Sequence, residues 1–177
     1  MIEWLQQISK ELEWLEPPPI FIGGSALALY LDPFSRSQLR TTKDVDIIVC
    51  KIKTYLDWSL LEKTLRLRGW KPNMSDDAPL CRYISPSEIL VDFMSPSEEV
   101  LGFTNQWYSE IKDATQEYQI GEHSIVIAQP AHFLATKLEA HLSRGKDDPW
   151  MSHDLEDIVA LVDGCTELIE SIKKQNN

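Results

Sequence analysis

The run Asp44-Val45-Asp46-Ile47-Ile48-Val49 constrains this chain more than any other feature. Its β-branched apolar residues suit a strand, which the composition predicts over 45–50. A strand has a side-chain period of two, so Asp44 and Asp46 share one face while Val45 and Ile47 turn toward a core. The fold therefore needs a sheet whose strand end carries two carboxylates side by side. Such a pair repels and raises its own pKa unless a cation neutralises it, and oxygen-only donors at this spacing suit Mg²⁺ or Mn²⁺ rather than zinc. Taken alone, the same pair also reads as a solvated strand end.

Strands and helices alternate around this run. Leu5, Ile8, Leu12 and Leu15 make a helical stripe, an opening helix of 16 residues or fewer ended by Pro17-Pro18-Pro19. Ile20-Phe21-Ile22 reads as a short buried strand, Gly23-Gly24-Ser25 as a turn, and Ala26 to Leu31 as a helix stopped near Pro33. Further on, the pattern predicts a helix over 56–68 with Gly69 at its C-terminal cap, then strands over 70–74, 80–84 and 89–94. The last two are joined across Ser85-Pro86-Ser87-Glu88. After a poorly patterned stretch over 95–115 come a hairpin around Gly121-Glu122 and a helix from Pro130 to about Arg144. A linker at 145–149 leads to a final helix from about Ser152, with Leu155, Ile158, Val159 and Val162 on one face. The expected class is α/β (α+β): a mixed sheet with flanking helices and a C-terminal helical part. At 177 residues this is one compact unit. Residues 1–128 form the core with its N-terminal helix, and 129–177 form the helical part that closes the cleft.

Composition removes several classes. The net charge is −11, and the apolar stretch around Pro19 to Leu31 is broken by Gly23, Gly24 and Ser25, short of the ~20 residues of a bilayer span. No membrane partner is expected. The opening Met1-Ile2-Glu3-Trp4 carries an acid where a secretory signal has a basic region, so a cytoplasmic location is expected. Cys50, Cys81 and Cys165 form no CxxC pair, and His123, His132 and His153 have no zinc-ligand spacing. Six scattered tryptophans read as core or rim rather than a base-stacking stripe. Bulk acidity argues against nonspecific nucleic-acid binding, yet residues 36–71 hold nine basic and four acidic residues, a local +5 that leaves −16 elsewhere. That window is either a solvated face or a polyanion path.

Three further groups bear on chemistry. Gly23-Gly24-Ser25, between a strand and a helix, lets a backbone approach a phosphate closely, with the Ser25 hydroxyl as an added donor; alone it also reads as a tight turn with Ser25 as N-cap. Asp92 lies within Ile89-Leu90-Val91-Asp92-Phe93-Met94, where a charge needs a partner. If its strand lies beside that of Asp44 and Asp46, three carboxylates converge on a site for two divalent ions; the other reading is a buried salt bridge to Arg82 across the hairpin. On the late helix, Lys137, His141 and Arg144 form one stripe, with Leu134, Leu138 and Leu142 on the adjoining stripe toward the core.

The order Gly-Gly-Ser at a helix start, DxD about twenty residues later at a strand start, then a third Asp on a further strand resembles the DNA polymerase β-like nucleotidyltransferase superfamily. The words GGSALALY, RTTKDVDIIV and LVDFM carry the likeness. Within it the chain resembles AbiEii/AbiGii-type nucleotidyltransferases, toxins of type IV toxin–antitoxin and abortive-infection systems, and the segment Ser152 to Ile158 resembles their closing acidic helix. The resemblance implies Mg²⁺ or Mn²⁺ held by Asp44, Asp46 and Asp92, and an NTP as substrate. It further implies Gly23, Gly24 and Ser25 at the phosphates, with Arg40, Lys43 and Lys137 as further phosphate contacts. Asp154 or Asp157 would orient the nucleotide or acceptor, and Lys137 could instead pair with Asp157. Acceptors implied are a tRNA or RNA end or a protein hydroxyl, reached through residues 36–71, and a cognate antitoxin is an implied partner. A small-molecule acceptor of aminoglycoside type stays open because an acidic surface attracts polycations. So does a non-catalytic nucleotide-binding or antitoxin-like module.

Overall fold

The computed structural model describes residues 1–144 and 151–175; the expected linker at 145–149 and Trp150 lie outside the described residues. Seven strands form one mixed sheet in the order β3-β4-β5-β2-β1-β7-β6. They are β1 (Ile20–Ile22), β2 (Asp44–Ile48), β3 (Lys71–Pro72), β4 (Arg82–Ile84), β5 (Leu90–Met94), β6 (Thr115–Ile120) and β7 (His123–Ala128). β2 pairs parallel with β5, and β1 parallel with β7; the remaining neighbours are antiparallel. The expected mixed sheet with flanking helices is the architecture found.

Alternation along β2 separates core from site. Val45 and Ile47 are fully buried and lie opposite Val91 and Phe93 of β5, while Tyr83 of β4 faces Val91. Helix α4 (Tyr55–Leu67) covers this face: Trp58 meets the Tyr83 ring edge-on at 6.4 Å, and Tyr83 meets Phe93 at 5.7 Å. α4 starts where the sequence places it because Thr54 and Asp57 form a reciprocal capping box, and Gly69, at φ +86°, follows its end. The acids therefore lie on the opposite face of the sheet from α4.

Other elements depart from the periodic reading. The opening helix α1 (Ile2–Glu11) stops before the proline run, and Leu12 and Leu15 are buried from the turn that follows it. α2 (Gly23–Leu27) already includes both glycines, and α3 (Pro33–Ser37) begins at Pro33 instead of ending there, because the Asp32 side chain caps it. The unpatterned stretch holds two short helices, α5 (Glu98–Leu101) and α6 (Tyr108–Ile111).

The C-terminal helices α7 (Pro130–Arg144) and α8 (His153–Gly164) follow the expected bounds, and α9 (Leu168–Lys174) is an additional one. Their burial corrects the sequence reading. Leu138 and Leu142 of α7 and Val159 and Val162 of α8 are exposed. The buried residues are Phe133, Thr136 and Lys137 on α7, and Asp154, Asp157, Leu161 and Gly164 on α8. Facing charges on the two helices satisfy each other, so Lys137, Asp154 and Asp157 turn inward, while of the expected apolar stripe of α7 only Leu134 packs against the core and Arg144 stays largely exposed. Phe133, Leu161, Cys165 and Leu168 join the same buried cluster as the sheet residues, so the core runs on across residues 128 and 129. Among the described residues no helix is long and apolar enough to cross a membrane.

Candidate active site

Strand register assembles the acids. Asp46 stands opposite Asp92 across the parallel β2–β5 pair, and Arg82 stands opposite Asp92 across the antiparallel β4–β5 hairpin. Directly opposed residues project on the same side of a sheet, so Asp46, Asp92 and Arg82 form a row, with Asp44 two residues along β2 on the same face. Both expected partners of Asp92 are thus present. The Arg82 guanidinium donates to both Asp92 oxygens at 2.7 Å and, through Nη2, to Asp44 Oδ2 at 2.6 Å.

Asp46 is the acid left over. No cation among the described residues lies within ion-pair reach of it. Loss of solvent, and then the charges of Asp44 and Asp92, raise its carboxyl to about 7. Among the described residues no three His, Cys, Asp or Glu side chains are grouped so as to hold a metal ion, and Arg82 takes both oxygens of the third acid. Asp44 and Asp46 nevertheless fit a divalent cation: both line the cleft, both offer oxygen, and no cation among the described residues pairs with Asp46.

Gly23 makes room for this acid, and Gly24 for Thr42 and Arg40. A Cβ built on Gly23, whose φ is +72°, would lie 1.8 Å from Asp46 Oδ2, and one on Gly24 would lie 2.8 Å from Thr42 Cγ2 and 3.0 Å from Arg40 Nη2. The pair is required first by the protein's own side chains, whatever else approaches it. Gly23→Ala is expected to displace the Asp46 carboxylate and to cost ~2–3 kcal/mol, from left-handed strain and overpacking together. Urea denaturation checks it, and a variant as stable as the parent would show that Asp46 has room to move. Ser25 is buried, but its hydroxyl has no partner among the described residues and it is not the N-cap, a position held by Ile22.

α7 and α8 supply the facing wall. Lys137 Nζ is 2.7 Å from Asp157 Oδ2 and 3.3 Å from Asp154 Oδ1, so the pairing with Asp157 is present. Arg144 Nε reaches Asp154 Oδ2 at 2.8 Å, Arg40 Nη2 reaches Asp157 Oδ2 at 3.2 Å, and His141 Nδ1 is 2.8 Å from Ser152 Oγ. The whole cationic stripe of α7 therefore meets α8. Burial pushes the Asp154 carboxyl up, but the hydrogen bond from Arg144 and the charges of Lys137 and Arg144 outweigh it and hold it below its ordinary value.

These parts enclose a cleft of about 480 Å³, within the range of small-molecule sites. Gly23, Gly24, Arg40, Asp44, Asp46, Asp92, Lys137 and Asp154 all line it. Ser25, Lys43 and Asp157 do not; Lys43 is exposed beside Asp44, and Asp157 lies behind Arg40 and Lys137. Of the nine cations in residues 36–71, Arg40 alone lines the cleft. Lys63, Arg66 and Arg68 are exposed on or just after α4, the helix that covers the other face of the sheet. Sequence reasoning missed Thr42, Phe103, Asn105, Tyr108 and Glu139, which also line it. Thr42 was readable as two residues before Asp44, on the same face of an extended chain, and its buried hydroxyl is unpartnered among the described residues. The others come from the unpatterned stretch and a helix face, with no local signal.

No protein-family model matches the chain, and no curated protein matches it. Solved structures match by shape. One is a crystal structure of an antigenic nucleotidyltransferase-like protein from Paracoccidioides brasiliensis, 17% identical, with a TM-score of 0.59 over 98% of this chain and 86% of that one. Another is the solution structure of the antibiotic-resistance factor ANT(2'')-Ia, 14% identical, with a TM-score of 0.58 over 97% of this chain and 86% of that one. At such identities the likeness is one of fold, and it places the chain among proteins with the nucleotidyltransferase-like fold.

Proposed function

We propose that the chain is a divalent-metal-dependent nucleotidyltransferase, which moves an NMP group from an NTP to an acceptor hydroxyl. One observation carries the reading: an acid pair, Asp44 and Asp46, of which Asp46 has no ion-pair partner among the described residues, opens into a cleft whose other wall presents Arg40, Lys137 and Arg144, each held by Asp154 or Asp157. In the reaction the acceptor oxygen bonds to the α-phosphorus, the bond from that phosphorus to the bridging oxygen breaks, and pyrophosphate leaves. Asp44 and Asp46 would hold Mg²⁺ or Mn²⁺, which supplies charge neutralisation to the phosphates when bound. Arg40, Lys137 and Arg144 would attract the triphosphate beside the Gly23-Gly24 backbone, with Ser25 and Lys43 at its margin. Asp92 would take the acceptor's proton, held in position by Arg82. Asp154 and Asp157 would act as positioning residues through Lys137, Arg144 and Arg40.

The acceptor we favour is a tRNA or RNA end or a protein hydroxyl, in a toxin-like component controlled by a cognate antitoxin and working in the cytoplasm. This rests on the resemblance of the GGSALALY, RTTKDVDIIV and LVDFM segments. Because Arg40 is the one cation of residues 36–71 in the cleft, a long RNA would reach Lys63, Arg66 and Arg68, on the α4 side, only by wrapping around the sheet edge. The likeness to an antibiotic-resistance factor favours a second reading, a small-molecule acceptor of aminoglycoside type. The C-terminal helices, 129–177, would close over the bound nucleotide. A test is transfer of label from each α-labelled NTP with Mg²⁺ into RNA, lysate protein and an aminoglycoside panel. Label is expected in one pool; none in any pool, with NTP binding intact, would favour a non-catalytic nucleotide-binding module.

A further inference from the structure

Arg82 stands where a cation would otherwise be needed. Its guanidinium lies between Asp92, both of whose oxygens it engages, and Asp44, with all three bonds at 2.7 Å or less. The arrangement is built into the sheet, since Arg82 and Asp92 are direct partners across β4 and β5. Asp92 is nearly inaccessible, so its charge needs a permanent partner, and the planar fork of an arginine matches a carboxylate as an ammonium does not. Asp44 and Asp46 line the cleft with it, and Asp46 has no cation within ion-pair reach among the described residues.

We propose that Arg82 is a resident counter-ion in the second cation position, so that the protein holds one divalent ion, between Asp44 and Asp46, rather than two. Charge supports the count. One guanidinium and one divalent ion match the three carboxylates, whereas a second divalent ion beside the guanidinium would leave an excess of two positive charges at a site already short of solvent. Geometry supports it too, because a second ion between Asp44 and Asp92 would have to displace the Nη2 that bridges them. The inference rests on Asp44 and Asp46 forming a metal site, as in the function proposed above.

Counting bound Mn²⁺ by electron paramagnetic resonance, on nucleotide-free protein with Mn²⁺ alone, tests it without reference to activity. The parent chain is expected to bind one ion, Arg82→Lys one, and Arg82→Gln two, the second at the vacated Asp44–Asp92 position. Arg82→Gln leaves Asp92 unpaired, so its melting temperature is expected to rise with Mn²⁺ by more than the parent's does. Two ions on the parent would overturn the inference directly, even if Arg82→Gln does not fold. One ion on both the parent and a folded Arg82→Gln would also overturn it, leaving the metal reading of Asp44 and Asp46 standing. No ion on any of the three would overturn both.

Discussion

Asp46→Asn is expected to abolish nucleotidyl transfer and, in the same protein, to raise thermal stability at neutral and alkaline pH. The two effects share a cause. Asp46 is a half-buried carboxyl beside Asp44 and Asp92, which Arg82 engages while leaving Asp46 without a counter-ion. In the unfolded chain it ionises near ~4, whereas in the fold it keeps its proton up to about 7. The folded state therefore binds more protons than the unfolded state between those values. Stability falls as pH rises through that window and levels off above it. Asparagine has no such titration, so the variant should match the parent near pH 4. Above pH 7 it should exceed the parent by ~1–3 kcal/mol once solvent screening is allowed for. In a chain of this length that is ~2–10 °C in melting temperature. Melts in EDTA across this pH range read the stability, and label transfer reads the activity. Unchanged turnover would remove Asp46 from the metal site, and a stability difference that does not change with pH would remove the electrostatic account of its burial.

Lys137→Met should act in the opposite direction. Lys137 Nζ sits between Asp154 and Asp157, all three side chains are at least nine-tenths buried, and the ammonium is the group common to both carboxylates. Its loss leaves Asp157 to Arg40 at 3.2 Å and Asp154 to Arg144, whose side chain is 72% exposed. Breaking a buried pair from one side costs ~3–5 kcal/mol, because the remaining charge stays buried without its partner. The arginines that remain place the expectation at the lower end, ~3 kcal/mol by urea denaturation. Adding Asp157→Asn should recover part of it by removing the stranded charge, a coupling that simple loss of packing would not produce. A cost below ~1 kcal/mol would mean that the α7–α8 contact is held by its apolar residues instead.

The contrast between these two acids and the cation shows how far local pattern reaches. Period two is set by the backbone itself, so the shared face of Asp44 and Asp46 was legible from their spacing, as was the turn joining β4 to β5 that brings Arg82 opposite Asp92. Period 3.6 says only which residues share a helix face, and hydrophobicity is then used to decide which face turns inward. On α7 and α8 that rule failed, because Lys137, Arg144, Asp154 and Asp157 satisfy one another across two helices, a pairing invisible to either helix alone. The glycines show a third case. Gly23-Gly24 was visible as a conformational signal, but the group that needs the space at Gly23, the Asp46 carboxylate, is brought there by the pairing of β1 with β2.

By itself the sequence determined the alternating order of elements, the acid face of β2 and the late helices' bounds, since each follows from short-range backbone geometry, capping and turn chemistry. Only the tertiary structure decided that Asp92 joins Asp46 rather than standing alone, that Arg82 serves two acids at once, and that Lys137, Asp154 and Asp157 of α7 and α8 are buried. Those outcomes depend on strand register and helix pairing between residues far apart in the chain, where a charge is buried or exposed according to whether a partner is there to meet it.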